Sequence, residues 1–100
     1  MFVDKHNLEI INNILHEHVP HCEVWAFGSR VHGHNFKKFS DLDIAVISEN
    51  KIPASIISSL EEDFIESYLP FKVDVIDFAT INDDFKKIIK NNYEVIQSRS

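Results

Sequence analysis

One cysteine, two glycines and three prolines are spread over 100 residues, and these scarcities narrow what the chain can be. A lone Cys22 excludes an internal disulfide and fits a reducing cytosol. No apolar run approaches the roughly 20 residues needed to cross a bilayer. The opening MFVDKHNLEII lacks the pattern of a signal peptide, so a cytoplasmic protein away from membranes is expected. Basic residues are few: Lys and Arg number 10 against 16 Asp and Glu, a net charge of −6. That balance argues against a protein that grips long nucleic acid through its phosphates. Neither G-x4-G-K-[ST] nor G-x-G-x-x-G occurs, so the common glycine-rich phosphate loops are excluded. Repeats and low-complexity tracts are absent, and no Ser-His-Asp or Cys-His arrangement stands out.

What remains is a globular composition, 44% hydrophobic and 26% charged, of a size for one domain over residues 1–100. Apolar residues at helical spacing (Leu8, Ile11, Leu15) predict a helix from Lys5 to Val19, with Asp4 as its cap and Pro20 preventing continuation. Short strands are predicted over Glu23–Phe27, Asp41–Ser48 and Lys72–Asp77. A second helix is expected over Pro53–Ser67, its buried stripe Ile56, Ile57, Leu60 and Phe64. A last helix is expected over Asn82–Asn92, with Phe85, Ile88 and Ile89 inward and Thr80 with Asp83 resembling a capping box. Tyr93–Gln97 could add a short edge strand. Strands alternating with helices imply an α/β (α+β) fold, a small mixed sheet with helices packed on one face.

The chemistry gathers between the first two predicted strands, in GSRVHGHNFKKFSDLD, Gly28 to Asp43. Asp41 and Asp43 are two apart on a strand and share a face. Two carboxylates on one face repel, and a divalent cation with a taste for hard oxygen ligands, Mg²⁺ above all, removes that cost. Gly28 allows close approach to a phosphate, and Ser29 can donate to its oxygens. The run Lys72-Val73-Asp74-Val75-Ile76-Asp77 offers a third carboxylate. Asp74 and Asp77 are an odd number apart and face opposite ways on a regular strand. Asp74, central in its run, is assigned to the metal site, and Asp77, at the end, to bonding the following turn.

GSR-x2-G, then SDLDIAV, then VDVID resembles the minimal nucleotidyltransferase (MNT) domain of the polymerase-β-type superfamily, over nearly the whole chain. The resemblance implies the minimal nucleotidyltransferase fold, two Mg²⁺ ions on Asp41, Asp43 and Asp74, and triphosphate held by Gly28 and Ser29, with Arg30 a further candidate nucleotide contact. The gap from Ser29 to Asp41 is eleven residues, where the family often has ten. The resemblance further implies an antitoxin that transfers AMP from ATP to a tyrosine of a helical HEPN ribonuclease toxin. The larger relatives' acceptor-holding helical domain is missing here, so a partner is expected to supply that surface; a monomer, a homodimer or a mixed complex would each fit so small a sheet. Two other functions fit the same residues: a non-catalytic module that masks its partner, and the catalytic subunit of an aminoglycoside-type nucleotidyltransferase.

Other residues carry blander readings. Arg30 could reach a phosphate or make a surface ion pair. Lys37 and Lys38 read as a solvated charge run, and His32 and His34 could touch substrate. Phe36 and Phe39 pack back or meet a partner. His16, His18, His21 and Cys22 fit no standard zinc spacing, and Trp25 reads as core.

Overall fold

The computed structural model describes residues 3–33 and 41–99, apart from the side chain of His32. The order of elements is α1 (Lys5–His18), β1 (Glu23–Phe27), α2 (Ser29–His32), β2 (Leu42–Ile47), α3 (Ala54–Glu66), β3 (Val73–Asp77), a 3₁₀ turn (Phe78–Thr80), α4 (Asp83–Asn91) and β4 (Glu94–Gln97). The four strands form one sheet in the order β3-β2-β1-β4. β1 runs antiparallel to both β2 and β4, whereas β2 and β3 are parallel, joined by the α3 crossover. This is the small mixed sheet expected from the sequence.

Strand pleating divides the side chains between two faces. Val24, Ala26, Leu42, Ile44, Val46 and Val73 point into a core completed by Ile11 and Leu15 of α1 and Leu60 and Phe64 of α3. Each large side chain fully withdrawn from water there contributes about 1.5–3 kcal/mol. The stripe predicted for α3 is buried at Leu60 and Phe64 and half-buried at Ile56 and Ile57. The opposite face carries Trp25, Phe27, Asp43 and Asp74. Aromatic rings cover part of it: Phe85 of α4 meets Phe27 edge-on, and Trp25 stacks on Tyr93 with centroids 4.0 Å apart. Trp25 is therefore half-buried on this second face, not within the main core.

Local chemistry sets the helix ends. Asp4 caps α1 by accepting from the Asn7 amide at 2.9 Å, as expected. The cap of α4 is Asn82, whose side chain accepts from the Phe85 amide at 2.8 Å; the capping box proposed for Thr80 and Asp83 does not form. The Thr80 hydroxyl instead donates to the Asp77 carbonyl at 2.8 Å, closing the preceding 3₁₀ turn. Asp83 and Asp84 in the first turn of α4 and Lys90 in its last complement the helix dipole. Ile88 was expected to face inward but is 68% exposed, because Phe85 and Ile89, four apart, take the inner face and the next-door Ile88 is rotated about 100° from it. Phe36, Lys37, Lys38, Phe39 and His34 lie outside the described residues.

Candidate active site

The site is built where β1 ends and β2 and β3 begin. Strand pairing sets Phe27 opposite Asp43 and Asp43 opposite Asp74. Asp43 and Asp74 are thus neighbours across parallel strands, on the face turned away from α1 and α3. Asp41 lies one residue before β2, with the parity of Asp43 and exposed. The three aspartates feel one another: Asp43 is pushed up to about 6 by burial, then by Asp74 and Asp41. A carboxylate half-withdrawn from water and flanked by two others lacks positive charge. That is the donor set a hard divalent cation fits.

Gly28 follows β1 directly, with φ +83° and ψ −160°, a backbone conformation in effect reserved for glycine. Its Cα lies so close to Asp43 that an added Cβ would stand 2.3 Å from Asp43 Oδ2. Only glycine brings the chain past the carboxylate at this distance. The single turn of α2 starts there: Val31 donates to the Gly28 carbonyl at 3.0 Å and Gly33 to the Ser29 carbonyl at 2.9 Å. The first amides of such a turn stand outside its own ladder. Gly28 and Ser29 therefore border the acidic face.

Arg30 is 3% exposed, its guanidinium 3.9 Å from the centre of the Phe71 ring. Burial lowers its proton affinity, partly offset by Asp41. Arg30 is therefore packed against Phe71 within the fold and is not a solvated surface side chain. Asp77 follows the other prediction made for it: buried, it accepts from the Ile52 amide at 2.8 Å and the Ala79 amide at 3.1 Å. One contact at the site was not read from the sequence. Lys72 Nζ lies 3.2 Å from Asp74 Oδ1, and its proton is held more tightly through Asp74 and Asp41. The signal was present, since residues 72 and 74 share strand parity.

Other ionisable groups gather elsewhere. Among the described residues, His16, His21 and Cys22 form no joint ligand cluster; His18 instead pairs with Asp63, with Glu17 nearby. Burial raises the Cys22 thiol above its ordinary value, which makes it less reactive. A cavity of about 390 Å³ is lined by Cys22, Ile47 and Arg99, among others. It lies at the far end of the sheet, since Ile47 pairs with Glu23 while Asp43 pairs with Phe27. No helix among the described residues is long and apolar enough to cross a membrane.

A mixed sheet that aligns aspartates on one face beside a Gly-Ser turn defines a nucleotidyltransferase core. Residues 9–100 match the family model described as polymerase beta, nucleotidyltransferase, and the chain belongs to that family. It is an enzyme family that uses a nucleotide substrate, typically with a divalent metal. The chain is 46% identical over 97 residues to the probable protein adenylyltransferase MntA of Haemophilus influenzae, covering 97% of this chain and 84% of that protein. Its fold is shared with a toxin–antitoxin structure containing AMP-PNP (TM-score 0.75, 21% identity, 94% of this chain and 75% of the other). The same holds for a tri-AMPylated Shewanella oneidensis HEPN toxin in complex with MNT antitoxin (TM-score 0.70, 19% identity, 94% and 71%).

Proposed function

We propose that this chain is a Mg²⁺-dependent protein adenylyltransferase, acting as a single domain over residues 1–100 in the cytoplasm. It transfers AMP from ATP to a tyrosine of a helical HEPN ribonuclease toxin and so serves as its antitoxin. The observation that carries the reading is the register of Asp43 with Asp74, with Asp41 on the same face and Gly28 against Asp43. The Haemophilus influenzae relative is named for this activity, and the Shewanella oneidensis complex holds an AMPylated toxin.

In the reaction, the acceptor hydroxyl oxygen forms a bond to the α-phosphorus of ATP. The bond from that phosphorus to the bridging oxygen breaks, and pyrophosphate leaves. Asp41, Asp43 and Asp74 would hold two Mg²⁺ ions, which when bound neutralise the triphosphate and acidify the acceptor hydroxyl. Asp74 also takes the acceptor proton in this reading. Gly28 and Ser29 orient the departing phosphates through the Ser29 amide and hydroxyl. Alignment and charge neutralisation supply most of the acceleration in such transfers.

Intact-mass spectrometry of a purified HEPN toxin, after incubation with this chain, ATP and Mg²⁺, tests the reading. Gain of whole AMP units, lost with Asp41→Ala/Asp43→Ala, is the expected result. A stable complex with no mass gain, still protective with both aspartates replaced, would favour masking instead. Transfer to an aminoglycoside and not to the protein would favour the small-molecule reading.

A further inference from the structure

We propose that Lys72 is a positioning residue of the acidic site: it holds Asp74 in an ion pair and releases it when a divalent cation enters. The inference rests on the reading of Asp41, Asp43 and Asp74 as the cation's ligands. Lys72 Nζ lies 3.2 Å from Asp74 Oδ1. Its backbone is fixed at the mouth of the sheet, where the Leu42 amide donates to the Lys72 carbonyl at 2.9 Å. Three carboxylates act on the ammonium, those of Asp74, Asp41 and Glu61.

The described conformation is the one in which Asp74 is paired off. The described residues whose ligand atoms come within 4.8 Å of one another, as a shared ion requires, are Glu17, His18 and Asp63; the three aspartates do not close that far. Lys72 and Asp74 are both open to water, with side chains 67% and 40% exposed. An exposed pair of this kind is weak and exchanges readily. A divalent ion carries twice the charge of the ammonium and attracts Asp41 and Asp43 as well as Asp74, so it prevails in the competition. Until then, the lysine relieves part of the repulsion among the aspartates.

Manganese as the probe tests this without turnover. Free Mn²⁺ is followed by electron paramagnetic resonance during titration of the full chain with α,β-methylene ATP, which cannot transfer AMP. Lys72→Gln is expected to tighten Mn²⁺ binding roughly two- to fivefold, the size of an exposed ion pair. Lys72→Arg, which keeps the charge, stays near the wild-type affinity. In an Asp74→Asn background, Lys72→Gln has no further effect, because the pair is already gone. Unchanged affinity in Lys72→Gln overturns the inference and leaves the acidic site standing. Equal tightening with and without Asp74 also overturns it, since that is a general field effect. A wild-type chain that takes up no Mn²⁺ brings down the ligand reading, and this inference with it.

Discussion

Gly28 passes so close to Asp43 that a methyl group on its Cα would stand 2.3 Å from the carboxylate oxygen. Gly28→Ala therefore meets two penalties. One is the backbone, at φ +83°, which costs a residue with a Cβ about 1–3 kcal/mol. The other is the clash, relieved only if Asp43 turns away. The melting temperature should fall by roughly 5–15 °C. Transfer activity should fall much further, on the order of a hundredfold, because the displaced group is a proposed ligand. A circular-dichroism melt beside the mass assay separates the two; a variant that melts lower yet transfers normally would show that Asp43 can move without consequence.

The raised pKa of Asp43 sets a pH dependence with a definite sign. An acid whose folded value, about 6, exceeds its ordinary 3.8 contributes stability below that lower value and loses it as pH rises through 6. In metal-free protein, Asp43→Asn should match wild type near pH 4 and melt higher at pH 7.5, by roughly 2–6 °C after discounting for solvent screening. Added Mg²⁺ should raise the wild-type melting temperature at pH 7.5 and leave the variant unmoved. Transfer should weaken below pH 6, where protons compete with the cation. Scanning calorimetry across pH, with EDTA or Mg²⁺, decides it; a metal-free wild type more stable than Asp43→Asn at pH 7.5 would mean the carboxylate already has a partner.

Two aspartates three residues apart have opposite consequences. Asp77 satisfies the amides of Ile52 and Ala79 from a buried position, so Asp77→Ala strands two donors. It should cost about 2–3 kcal/mol. Asp74→Ala, half-exposed, should cost little stability and abolish transfer. Urea melts of the two variants beside Mn²⁺ titrations check this, and loss of Mn²⁺ binding in a still-folded Asp77→Ala would reverse the assignment of roles.

The sequence carried the fold where patterns are local. Helical spacing in α1, a capping Asp4 and the odd separation of Asp74 from Asp77 each follow from residues near in sequence. What it hid depends on distant pairing. Arg30 reads equally as a phosphate contact or a surface ion pair, and its burial against Phe71, 41 positions later, is not visible in the sequence. Ile88 and Ile89 are equivalent in composition, and only packing of α4 separates them. The strand order, with β4 beside β1, could not be read from the expectation of an edge strand, since either edge was available. The Lys72–Asp74 pair was legible by parity but inconspicuous, because a lysine at a strand's start is ordinary.

Gln97 supplies the tie that places β4 on that edge. Its Nε2 donates to the carbonyls of Val19 and Cys22, both at 2.8 Å, fastening the last strand to the link between α1 and β1. Gln97→Ala removes two hydrogen bonds and should destabilise the fold by about 1–2 kcal/mol. Gln97→Glu, nearly the same shape, should be worse, because a carboxylate then faces two carbonyl oxygens with no hydrogen to offer. Hydrogen exchange should quicken first at the β1–β4 ladder, including Val95, and leave β2 and β3 protected. Mn²⁺ affinity should be unchanged in both variants, since the aspartates lie on the other side of β1. Should Gln97→Glu prove as stable as wild type, the amide's two bonds would not be what holds β4 in register.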